Sequence, residues 1–119
     1  MATDNGRANT LEYLIVLNRA LSNALDALEI ARDLAKTPAD RQQAENEIPA
    51  VVQAKTLLKS KTDAFIVKPA GVGIKPPTDA EVKKTQKLAE DLAKVDAQVT
   101  KVQKLASMTA KVIDLISQL

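Results

Sequence analysis

From Thr85 to Ile116 the chain repeats every seven residues, with apolar or small side chains at both inward positions: Thr85, Leu88, Leu92, Val95, Val99, Val102, Ala106, Thr109, Ile113 and Ile116. Spacing of 3 and 4 sustained over that length is the pattern of a helix that lies along other helices. Read as one element, it predicts a C-terminal helix over 78–119, about 60 Å long at 1.5 Å per residue. Thr78 followed by Glu81 supplies its start, because a threonine hydroxyl and a glutamate three residues later can cap each other's backbone amides.

The same spacing recurs upstream. Leu14, Leu17, Leu21, Ala24, Leu28, Ala31 and Ala35 predict a first helix over about 10–36, with Asn9 as N-cap and Glu12 returning its hydrogen bond. Thr37, Pro38 and Asp40 stop that helix and begin another. The second helix, 38–67, carries Ala44, Val51, Leu58 and Phe65 at intervals of seven, with Ile48, Ala54 and Leu57 beside them. Pro49 removes an amide from its middle, so a kink or short break is expected there. The segment 68–77 holds two of the three glycines and three of the five prolines and reads as the loop. Residues 1–8 read as a disordered tail.

Nothing alternates with period two, so the expected fold is all-α: an elongated antiparallel three-helix bundle, or coiled-coil-like hairpin, with a long C-terminal helix. A single domain of 119 residues is large enough to bury a modest core. Aromatics are 2% of the chain, namely Tyr13 and Phe65, which leaves Leu, Val, Ile and Ala to fill that core. Small aliphatic side chains suit closely packed helices.

The chemistry is sparse. With no Cys and no His, the chain lacks thiolates, disulfides, the commonest metal ligand and the commonest general base. Carboxylate pairs such as Glu90 with Asp91 or Glu29 with Asp33 fall on flanks that this pattern points to solvent, where nothing raises a pKa into a useful range. Ser60 beside Lys61, and Ser107 near Lys111, are pairings common in any lysine-rich helix. Gly71 and Gly73 before Lys75 follow a helix rather than a strand and lead into prolines without amide donors, so they do not make a phosphate loop. The sequence therefore predicts neither an enzyme nor a cofactor or metal site. Its start lacks the basic and apolar blocks of a secretory signal, and the expected location is cytoplasmic, export by another route aside.

Two surface features remain. Tyr13, Ile15 and Val16 widen the apolar face of the first helix, while Leu105, Met108, Val112, Leu115 and Leu119 make the end of the last helix apolar around most of its circumference. In an up-down-up bundle these patches lie at opposite ends, which predicts a protein interface at Tyr13, Val16, Met108, Val112, Leu115 and Leu119, with a second copy in an isologous dimer as its first partner. The second feature is a lysine-rich tip. Eight lysines between Lys55 and Lys87 face three acids, a net charge of +5 against +2 for the whole chain. Lys68, Lys75, Lys83, Lys84 and Lys87 are the candidate anion-binding residues. No arginine and no free aromatic accompany them, so base stacking and guanine contacts are poorly supplied, and nucleic-acid binding could only be weak, indifferent to sequence and salt-sensitive.

The expected function is a non-enzymatic helical protein-interaction module, such as a scaffold, adaptor, assembly chaperone or inhibitor. The alternatives are weak attachment to nucleic acid or anionic surfaces through the tip, and a membrane-active helical protein.

Overall fold

The computed structural model describes residues 4–68, 73–95 and 102–119. The seam residue Val99, residues 1–3 of the tail and the loop residues Pro69, Ala70, Gly71 and Val72 lie outside them. Four helices make up the described chain: α1 (Asp4–Asp33), α2 (Pro38–Val67), α3 (Asp79–Ala93) and α4 (Val102–Ser117). Among the described residues the chain is all-helical, as the periodicity predicts, but the helices there number four where three were expected.

The difference lies in the C-terminal third. A single helix over 78–119 is not formed: α3 closes at Ala93, where the amide of Lys94 donates to the Glu90 carbonyl oxygen at 3.0 Å and that of Val95 to the Leu92 oxygen at 3.4 Å. The buried positions explain why one straight helix does not serve. In α3 they are Val82, Thr85, Ala89 and Leu92, and in α4 they are Val102, Leu105, Thr109, Val112 and Ile116. Continued at the same 3,4 spacing, the α3 stripe would reach 103, 106, 110 and 113, one residue and about 100° away from the stripe that α4 buries. A straight rod cannot turn both stripes to one core. Two helices running in opposite directions can.

Direction follows from the bonds between helices. Lys55 Nζ on α2 donates to Ser22 Oγ on α1 at 3.0 Å, across a tight antiparallel reversal at Leu34–Thr37. Three side-chain bonds join α1 to α3 in parallel order: Asn9 Nδ2 to Asp79 Oδ1 (2.7 Å), Gln86 Nε2 to Glu12 Oε1 (2.8 Å) and Asn23 Nδ2 to the Ala89 carbonyl oxygen (2.9 Å). In α4, Lys111 and Asp114 line one groove with Asp91, Leu88 and Glu81, and Leu119 accepts from Lys61 Nζ at 3.3 Å, so α4 runs antiparallel to α3 and parallel to α2. The result is an up-down-up-down bundle 53 Å long. Helix α1 touches the other three, while α2 and α3 lie on opposite sides and barely meet.

That central place matches the α1 sequence. Leu14, Leu17, Leu21 and Leu28 are 1% exposed or less, and Ala20 and Ala24 are fully buried, small enough to let neighbouring backbones come close. Helix α1 spans Asp4–Asp33, so residues 4–8, expected in a disordered tail, are helical and Asn9 and Glu12 are not its cap; the first reaches Asp79 and the second Gln86. Helix α2 is capped as expected, with the Asp40 amide donating to Thr37 Oγ1 at 3.2 Å. It buries the heptad Ala44, Val51, Leu58 and Phe65 together with Ala54. Of the kink or short break expected at Pro49, the break does not form: α2 is continuous and the proline sits at an exposed position where water can serve the freed Glu45 carbonyl. The start of α3 carries the full reciprocal cap, with Glu81 N to Thr78 Oγ1 at 3.2 Å and Thr78 N to Glu81 Oε1 at 3.4 Å.

Candidate interaction surfaces

The six residues expected to form a protein interface meet inside one chain. Tyr13, Val16 and Val112 are 6%, 3% and 0% exposed, and Met108, Leu115 and Leu119 are half-buried against the same core. Tyr13 and Leu115, expected at opposite ends, line a common groove. The fold-back of α4 is the reason: it brings the apolar C-terminal turns alongside the first half of α1, and each patch covers the other.

The groove between α3 and α4, about 560 Å³ with Tyr13, Leu88 and Leu115 at its apolar lining, is rimmed by Lys84, Lys87 and Lys111 and by Glu81, Asp91 and Asp114. Charges of both signs alternate around it. Burial pushes the Tyr13 phenol above the ordinary tyrosine value of 10.0, the hydrogen bond with Thr85 opposes that rise, and the negative charge of Glu81 adds to it. The Thr85 hydroxyl also donates to the Glu81 carbonyl oxygen at 2.9 Å. Among the described residues no cluster of three Asp, Glu, His or Cys could hold a metal ion, and every buried side-chain nitrogen or oxygen has a partner. The two Ser/Lys pairings gain no pocket: Ser60 and Ser107 are exposed.

Lys68, Lys75, Lys83, Lys84 and Lys87 are all exposed. The remaining lysines of the tip are engaged: Lys55 with Ser22, Lys61 with Leu119, and Lys59 with Asp63 at 3.0 Å. Folding also sets acids among the free five, because Glu12 comes from α1 and Asp114 from α4 to the same end of the bundle. The +5 counted along the sequence is thereby diluted in space.

No family model, no curated protein and no solved structure matches this chain.

The surface that sequence reasoning missed lies on the other side. Seven large apolar residues are exposed among the described residues, and all belong to the α1/α2 hairpin: Ile15 and Ile30 on α1, Leu34 in the reversal that follows it, and Val52, Leu57, Ile66 and Val67 on α2. Ile15 at 51%, Val52 at 47% and Ile66 at 62% flank a shallow groove along the α1/α2 seam, lined by Ile15, Asn18, Lys55, Lys59 and Thr62. The signal was present in α2, where Val52, Ile66 and Ile48 fall on one stripe beside the heptad. Among the described residues no helix is long and apolar enough to cross a membrane.

Proposed function

We propose that this chain is a non-enzymatic helical protein-interaction module that associates with itself. The observation that supports it is the confinement of exposed large apolar residues to the α1/α2 hairpin, where the half of the bundle carrying α3 and α4 offers none among the described residues. Scattered exposed apolar residues are ordinary; Ile15, Val52 and Ile66 along one groove of the α1/α2 hairpin offer a contact surface. Sedimentation equilibrium over a concentration series tests the reading. A mass that rises from monomer to dimer supports it, and a monomer at every concentration defeats self-association.

A second reading, weak attachment to a phosphate-bearing surface, draws on the exposure of Lys68, Lys75, Lys83, Lys84 and Lys87. Its mark is steep loss with salt, which an apolar contact does not share. Retention of the chain on anionic vesicles or duplex DNA that persists at physiological salt would favour it.

A further inference from the structure

Resting on the reading of a self-associating module, we propose which surface associates and with what symmetry: the α1/α2 face packs on the same face of a second copy, α1 against α1 and α2 against α2, each pair antiparallel. The two-fold axis lies in the contact plane, across the helices near Asn18.

The stripes on this face read nearly the same in both directions. On α1, positions 11, 15, 18, 22 and 25 follow one another at spacings of 4, 3, 4 and 3, with Arg7 four residues before and Glu29 four residues after. Reversal about Asn18 sets Leu11 on Leu25 of the other copy and Arg7 on its Glu29. Both charged residues are exposed, and each pairing is made twice in a two-fold dimer. On α2, Ile48, Val52, Lys55, Lys59, Thr62 and Ile66 are spaced 4, 3, 4, 3 and 4, a palindrome about position 57 that sets Ile48 on Ile66.

The two centres agree. Ser22 lies opposite Lys55, which puts Asn18 level with position 59, two residues or about 3 Å from the α2 centre. The same reversal sets Lys55 beside Lys59 of the other copy; within each copy Lys55 bonds Ser22 and Lys59 pairs with Asp63 at the surface, so the middle is polar and hydrated and the apolar pairs lie at either end. The face is large enough. From position 7 to 29 it runs about 33 Å, and two helices make it about 20 Å wide; that area approaches the ~800 Å² per partner of a standard interface.

The test is sedimentation equilibrium of four proteins: the natural chain, Arg7→Glu, Glu29→Arg and the double exchange. All the substituted residues are exposed, so the fold is retained. The natural chain is expected to dimerise, each single reversal to weaken the dimer about tenfold by turning two attractive pairs repulsive, and the double exchange to bring it back. Ile66→Asp should weaken it at least as much, and Leu57→Asp, on the other flank of α2, should leave it unchanged. A natural dimer indifferent to the single reversals, or a double exchange weaker than either single, overturns this surface while leaving self-association standing. A natural chain that stays monomeric overturns both.

Discussion

The two halves of the bundle use apolar residues to opposite ends. Helices α3 and α4 are about half the length of α1 and α2, and together they leave no large apolar residue exposed among those described; the α1/α2 hairpin leaves seven. The apolar stripes of α3 and α4 turn inward against the core. Long helices packed on one side keep a flank that nothing in the chain covers. A surplus of apolar residues in sequence is therefore a poor guide to an interface until the fold shows which surplus meets which.

Charge placed at equally apolar positions separates the halves most sharply. Val112→Asp buries an unpaired carboxylate and should cost more than about 3 kcal/mol or abolish folding. Val52→Asp in the open flank should stay within about 0.5 kcal/mol at concentrations where the chain is monomeric. Urea denaturation followed by far-ultraviolet circular dichroism compares them, and equal losses would erase the distinction. Next comes the phase of the C-terminal stripe. Leu105→Ala, at a residue 1% exposed, should lose about 2 to 5 kcal/mol. Leu88→Ala, at a half-buried residue of the sequence seam, should lose clearly less. Smaller again is the cap of α3, where Thr78→Ala should lose about 1 kcal/mol. An unchanged midpoint there would mean that the Thr78/Glu81 exchange contributes nothing.

The smallest effect is in the alkaline range. The unfolded chain gives up the Tyr13 proton near 10.0, whereas the buried phenol holds it to higher pH. Below pH 10 both states are protonated and the group makes no difference. As pH rises from 10 through the raised value the unfolded state binds fewer protons, and stability falls. Tyr13→Phe should flatten that part of the profile, and an unaltered slope would assign the loss to other groups.

Much of the architecture was legible in the sequence because helix stripes and caps are local. The heptad of α2, the Thr37 and Thr78 caps and the leucine seam of α1 each depend on residues within a turn or two of one another. The division of the last third was not legible in the same way. Thr85, Leu92, Val102, Thr109 and Ile116 fit one seam and are buried, yet Leu88, Ala106 and Ile113, which fit it equally well, are only half-buried, and Leu105 and Val112 take inward places instead. Seven-residue spacing tolerates that change of phase, so the pattern continued across a boundary the helix does not. Val95, Val99, Thr100 and Val102, four β-branched residues in eight, were the available warning. The burial of the candidate surface was hidden from the sequence for a related reason. Tyr13 and Leu115 are counted as surplus only if α4 points away from α1, and one reversal turns both into core. Ile15, noted beside them, stayed exposed because it lies on the α2 side of α1, where no fourth helix reaches.

The reversal of α4 is the central claim, and the lone tyrosine reports on it. With one Tyr and no Trp, an alkaline titration of phenolate absorbance sees Tyr13 alone. If α4 folds back to cover it, the native chain should titrate above 10.0 and return to the ordinary value in urea. A native midpoint already at the ordinary value would leave Tyr13 uncovered and contradict the four-helix arrangement.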